Sequence, residues 1–131
     1  VYKRQDDTGL EVDALNGQPG VFSKRFAGLN ASSDDNIDKL LKMLGNNTNR
    51  AARFKTVISL SKNSEIITFE GICEGNIGYE RIGDLGFGYD PVFIPKNQNM
   101  SFGQMSLSEK NLIAHRAKAI NKLVDYLTNL Y

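Results

Sequence analysis

The chain is poor in cysteine, nearly free of net charge and without a long apolar run. Its single cysteine, Cys73, has no second thiol among the 131 residues with which to form an internal disulfide. That fits a reducing compartment, and a cytoplasmic location is expected. Cys73 sits in the run Phe69-Glu70-Gly71-Ile72-Cys73, the setting of a buried structural thiol rather than of a nucleophile. Sixteen basic side chains against 15 acidic ones leave a formal net charge of +1, so there is no electrostatic footprint for nucleic acid or for an anionic membrane, and neither is expected as a partner. No apolar stretch approaches the roughly 18 residues that a membrane-crossing helix needs. Internal repeats, low-complexity tracts and long linkers are missing too. On length the chain reads as one domain, large enough for a real core.

What is present is concentrated in Gly83-Asp84-Leu85-Gly86-Phe87-Gly88-Tyr89-Asp90-Pro91. The glycines allow positive φ or close approach of backbone to a ligand. Phe87 and Tyr89 offer flat faces for stacking, and Pro91 holds Asp90 extended. An aromatic beside a fixed acceptor on bare backbone is a way to read a heterocyclic base. The residues alone also allow a glycine-rich turn with Phe87 plugging the core.

Around that segment the element pattern is regular. Ser32-Ser33-Asp34-Asp35 predicts the start of a helix with the stripe Ile37, Leu40, Leu41 and Leu44, stopped by Gly45. Phe54, Thr56, Ile58 and Leu60 alternate with Lys55, Val57, Ser59 and Ser61 as in a half-buried strand. Lys62-Asn63-Ser64 is turn chemistry, and Ile66 to Cys73 returns as the second strand of a hairpin. Ser106-Leu107-Ser108-Glu109 is a capping box, opening a helical stretch whose later face carries Ile120, Leu123, Val124, Leu127 and Leu130. Strands and helices intermix, so the class is α/β or α+β with a mixed, twisted sheet flanked by helices.

Four motifs stand in a fixed order: Asp6-Asp7-Thr8-Gly9-Leu10, then Leu15-Asn16-Gly17-Gln18-Pro19-Gly20-Val21-Phe22-Ser23, then Gly86-Phe87-Gly88-Tyr89-Asp90-Pro91, then Ser108 to Ala119 with Lys110 and His115-Arg116. In that order they closely resemble the Ham1 / inosine triphosphate pyrophosphatase family. The resemblance implies a Ham1/Maf-like fold and hydrolysis of non-canonical purine nucleoside triphosphates to the monophosphate and pyrophosphate. The family begins with a strand, a (Ser/Thr)-Gly-Asn-x-x-Lys triphosphate loop, a helix and a metal-binding glutamate, none of which is matched here. Residues 6–131 are therefore expected to be the C-terminal portion of the family's domain. The polar, basic stretch Tyr2-Lys3-Arg4-Gln5 fits a buried strand badly, and residues 1–5 are expected to be foreign to the domain. Ala114 stands where the family usually has serine.

The resemblance also assigns roles. The second acid of the pair, Asp7, is the expected catalytic carboxylate and metal ligand, with Asp6 as a further candidate ligand. Thr8, Phe87, Gly88, Tyr89, Asp90, Lys110, His115 and Arg116 are the expected substrate contacts. Adjacent side chains on a strand point to opposite faces, so only one of Asp6 and Asp7 can address a given cleft; the residues alone also allow either to be a helix or turn cap. Magnesium is the expected cofactor, because a nucleoside triphosphate brings about four negative charges to a protein of balanced charge, and Mg²⁺ needs only one or two carboxylates. Lys24, Arg25 and Lys110 are nearby candidates for the remaining charge, the first two being equally readable as a solvated pair. On one ideal helix Lys110 and Arg116 would lie about 240° apart. Joint use of Lys110, His115 and Arg116 thus implies a break near Ile113-Ala114 and a second helix from about His115. A guanidinium or a donated imidazole N–H would accept a 6-oxopurine and oppose the amino group of adenine. A homodimer is implied by the family. A Maf-like pyrophosphatase and a nucleotide-binding module without catalysis are the alternatives.

Overall fold

The computed structural model describes residues 3–130; Val1, Tyr2, Tyr131 and the Leu130 side chain lie outside the described residues. Five strands form one sheet in the order β2-β1-β3-β4-β5, with β1 at Lys3–Val12, β2 at Pro19–Gly20, β3 at Ala51–Lys62, β4 at Glu65–Ile77 and β5 at Phe93–Pro95. Helix α1 spans Ser33–Leu44, the short α2 Leu107–Asn111 and α3 His115–Leu130. Each described pairing is antiparallel, where the sequence led us to expect a mixed sheet. The reason lies in residues 13–50. They leave β1 at Val12 and enter β3 opposite it, Val12 facing Ala52. The excursion through α1 is thus an elaborated hairpin and not the crossover that a parallel pair requires.

Local chemistry sets the element ends. Ser32 caps α1 by accepting the Asp35 N–H while the Asp35 side chain accepts the Ser32 N–H, and Gly45, at positive φ, closes the helix. Asn63, also at positive φ, turns the β3–β4 hairpin. Ser106 and Glu109 form the same reciprocal box at α2, and the chain breaks at 112–114 before α3 starts at His115. The break foreseen from Lys110, His115 and Arg116 is present.

Ala52, Phe54, Thr56, Ile58 and Leu60 of β3 are all buried, and this face of the sheet carries the core in two parts. Ile37, Leu40 and Leu44 of α1 pack with Leu10, Val12, Ala52 and Phe54 at one end. Ala119 and Leu123 of α3 pack with Ile58 and Leu60 at the other, joined by Ile120, Tyr126 and Leu127. Val124, expected on that helix face, is exposed. The buried stripe is centred on Leu123, whose neighbours at three and four residues are 119, 120, 126 and 127, and residue 124 lies about 100° round from it. Cys73 is buried, as its surroundings foretold.

Residues 3–5 form the start of β1, pairing with Ser61, Leu60 and Ser59. All three are exposed, so their polar character is compatible with strand pairing here. Among the described residues, no helix is long and apolar enough to cross a membrane.

Candidate functional site

Because α1 and α3 cover opposite ends of one sheet face, a gap remains between them over β1 and β3. Its floor is Thr8, Leu10 and Phe54; one wall is Ser33 and Asn36 of α1, and the other is the 87–90 loop with Lys110 and His115. This inner cleft has a volume of about 380 Å³. It continues past Thr8, Lys24, Phe87, Lys110 and His115 into an outer cleft of about 510 Å³, which is bounded by Asp6, Asp7, Arg25 and Arg116. Every residue that the sequence nominated for the site borders one or both of these spaces.

The glycine-rich loop is built around Asp90. Its buried carboxylate accepts the Phe87 N–H at 3.0 Å and pairs with the Lys110 ammonium at 2.6 Å. Gly83, Gly86 and Gly88 all have positive φ. At Gly86 a Cβ would run into that same carboxylate, so the loop can close on Asp90 only with glycine there. Lys110 also lies 4.6 Å from the centre of the Phe87 ring. Phe87 is 77% exposed, which leaves its outer surface free for a ligand. Tyr89 differs from the expectation of a free stacking face: it is buried, and its hydroxyl donates to the Ser23 carbonyl at 2.6 Å. Burial raises its pKa. Tyr89 lines the inner cleft while tying the loop to the segment after β2.

Strand alternation separates the two acids. Asp6 shares a face with Thr8 and Leu10, and Arg116 donates to it at 3.1 Å while Arg4 grips it through two nitrogens at 3.0 and 2.8 Å. The Arg4 hydrogen bonds, followed by the Arg4 and Arg116 charges, hold the Asp6 pKa below its usual value. Asp7 points to the other face and borders both the outer cleft and a smaller hollow with Lys55 and Val57. Among the described residues Asp7 has no ion-pair partner, so its carboxylate is free at the rim. Thr8 bonds Thr56 through its hydroxyl at 2.9 Å, filling the one polar step in the buried stripe of β3.

His115, the first residue of α3, is 7% exposed, and its Nδ1 is buried without a hydrogen-bond partner. Burial first, then the charges of Lys110, Arg116 and Lys118, push its pKa from 6.5 down to about 4. The ring is therefore neutral at pH 7. Between those values the unfolded chain binds a proton that the folded chain refuses, so stability present above pH 6.5 is lost as pH falls towards 4. The expected loss is on the order of 3 kcal/mol. Urea midpoints measured at pH 7 and near pH 4 should show it, and His115→Gln should lose most of this dependence. An equal pH dependence in that variant would assign the effect to other groups.

Residues that sequence reasoning missed supply the scaffold. Asn36 is polar, buried on the apolar side of α1, and clamps the neighbouring loop by accepting from Ala27 N–H and donating to the Lys24 carbonyl, both at 2.9 Å. Ser23 accepts the Leu10 N–H at 2.9 Å and donates to the Gly20 carbonyl. An asparagine in phase with an apolar stripe was the available signal for the first; Ser23 closes the second motif, but its contacts depend on the tertiary fold. Lys24 borders both clefts.

A divalent cation can be tested against these groups. Among the described residues no three His, Cys, Asp or Glu side chains are gathered to hold a metal. Magnesium requires only one or two protein carboxylates, with water and phosphate oxygens completing its octahedron. The free Asp7 carboxylate fits such a partial shell; Asp6 points to the opposite face of β1 and is taken up by Arg4 and Arg116.

The whole arrangement of sheet and helices is closely matched by solved Ham1 proteins. The structure of the Staphylococcus aureus Ham1 protein superposes with a TM-score of 0.97 at 44% identity, covering 99% of this chain and 68% of that one. A Ham1 protein from Coxiella burnetii gives 0.94 at 38% identity, covering 98% and 68%. The chain belongs to the Ham1 family, whose sequence model matches residues 4–126. Among curated relatives, the dITP/XTP pyrophosphatase of Flavobacterium johnsoniae is 53% identical over 94% of this chain and 64% of its own length. That of Staphylococcus aureus is 48% identical over 93% and 63%. The chain thus spans a little under two thirds of the length of these relatives.

Proposed function

We propose that the protein carrying this chain is a nucleoside triphosphate pyrophosphatase that hydrolyses ITP, dITP and XTP to the monophosphate and pyrophosphate, with residues 6–131 forming the part of the domain that bears the base cleft. The observation that carries this reading is the convergence of Asp6, Asp7, Phe87, Lys110, His115 and Arg116 from four separate segments on two connected clefts. The names of the relatives support the substrate class.

In this reading the purine lies on Phe87, whose open ring face suits stacking. Gly88 supplies bare backbone beside it. Neutral His115 and Arg116 present donors to the purine 6-oxygen, and an adenine amino group would leave them unpaired at about 1–3 kcal/mol each. Asp7 accepts the proton of the attacking water as a positioned base. Lys24, Arg25 and Lys110 border the outer cleft and carry the positive charge that the phosphates require. Asp7 would hold a magnesium ion whose shell water and phosphate oxygens complete, and that ion would supply charge neutralisation to the phosphates. A cytoplasmic homodimer completes the proposal.

The base pocket can be tested by substitution in the full-length protein. Phe87→Ala should weaken nucleotide binding by about 1–3 kcal/mol through lost stacking. Arg116→Ala should lower the ITP/ATP ratio of kcat/KM more than it lowers pyrophosphate release from a poor substrate. Ratios unchanged in both variants would show that the base is read elsewhere.

A further inference from the structure

Two residues outside the expected site set where His115 stands. Gly71 on β4 and Phe54 on β3 lie side by side on the helix-bearing face of the sheet, Phe54 paired with Cys73 and Thr56 with Gly71. The first turn of α3 rests directly on Gly71. A Cβ there would meet the His115 carbonyl oxygen, and would stand 2.5 Å from Ala119 N and 2.9 Å from the His115 carbonyl carbon. All of these are backbone atoms, which cannot step aside as the tip of a flexible side chain can. One strand over, the imidazole lies flat on Phe54, with ring centres 4.8 Å apart and planes inclined by 23°. Phe54 is itself fixed from behind by Phe93 at 4.6 Å and Phe102 at 6.0 Å. Backbone and ring of His115 are thus held by different strands. The unpartnered Nδ1 belongs to a ring whose place is determined without any hydrogen bond to the protein through that atom.

We propose that Gly71 and Phe54 are positioning residues for base selection: Gly71 admits the α3 terminus to the sheet, and Phe54 fixes the plane of the imidazole in the cleft. The inference rests on the functional reading above in so far as His115 reads the base. It assigns selectivity to two positions that were not among the expected substrate contacts, Phe54 also flooring the inner cleft. A ring held only by stacking is sensitive to the loss of its partner, since an aromatic pair is worth up to about tenfold in an equilibrium.

The test is made in the full-length protein, with the His115 ring protons identified by their loss in His115→Gln. In Phe54→Leu those protons should move downfield as the ring current of Phe54 is removed. KM for ITP should rise by up to about tenfold with kcat little changed, and the ITP/ATP preference should fall. Phe54→Tyr keeps the ring and should retain both the shift and the preference. Phe93→Leu removes a ring of the same aromatic cluster that does not stack on His115. It should lower stability while leaving the preference intact, which separates positioning from general core loss. Gly71→Ala should displace the His115 signals as well. If Phe54→Leu is too unstable to assay, Phe54→Met fills the space without a ring and carries the same readouts. Unmoved His115 protons in the ring-free variants would overturn the proposal, as would an unchanged ITP/ATP ratio in a folded variant whose signals have moved. A wild-type protein without ITP/ATP preference would instead overturn the functional reading, and the proton shifts alone would then decide whether Phe54 and Gly71 place His115.

Discussion

Asp7→Asn in the full-length protein is expected to lower turnover by about 10² or more, the usual scale for loss of a positioned base, and to weaken the hold on Mg²⁺ as well. The substitution keeps shape and removes only charge and basicity. Of the two adjacent acids, Asp6 is already committed to Arg4 and Arg116, and a carboxylate held by two guanidinium groups is a poor proton acceptor. Asp7, on the other strand face, borders the outer cleft without an ion-pair partner among the described residues. Asp6→Asn should therefore cost less, and its effect should include a loosened Arg116. A larger loss from Asp6→Asn than from Asp7→Asn would move the base to the acid that shares a sheet face with Thr8. Pre-steady-state binding of a substrate analogue to both variants separates lost chemistry from lost affinity.

The second large effect concerns stability. Lys110→Met should destabilise the fold by about 3–5 kcal/mol, because it leaves the buried Asp90 carboxylate without its cation. The pair is close, 2.6 Å, with both side chains largely withdrawn from water. Asp90 also holds the Phe87 N–H, so the base-stacking loop should loosen along with the core. The double variant Lys110→Met with Asp90→Asn should recover much of the loss, since no buried charge then remains unpaired. Urea midpoints of the wild type, the single variant and the double variant make the comparison. A double variant no more stable than Lys110→Met would mean that the pair is not the source of the effect.

Legibility in the sequence followed the range of the interactions. The limits of α1 could be read from Ser32, Asp35 and Gly45 because caps are local. The β3–β4 hairpin was visible in period-two alternation around Asn63. The α2–α3 break was inferred because Lys110 and Arg116 could not otherwise meet one ligand. Sheet direction was not legible: alternation of helices and strands suggests parallel neighbours, and only the return of residues 13–50 to the starting end of the sheet makes them antiparallel. The residues expected at the site all border the two connected clefts, but their connections to one another were not legible. Tyr89 looked like a stacking surface and is a buried tie to Ser23; Asp90 looked like an acceptor for a base and is bound to Lys110 and the Phe87 N–H. The Tyr89–Ser23 and Asp90–Lys110 pairings join residues 66 and 20 positions apart, and no local pattern records them. Val124 was misplaced for a simpler reason: a helix stripe read from apolar residues alone can be centred one residue away from its true axis.

The central claim is that these clefts serve cleavage of a 6-oxopurine nucleoside triphosphate between the α- and β-phosphates. Its most direct test is the product analysis of ITP and XTP turned over by the full-length wild-type protein, with ATP as the comparison and with Mg²⁺ present or removed by chelation. The predicted result is equimolar nucleoside monophosphate and pyrophosphate from ITP and XTP, little from ATP, and none without the metal. Orthophosphate and a diphosphate as first products, or ATP cleaved as readily as ITP, would contradict it.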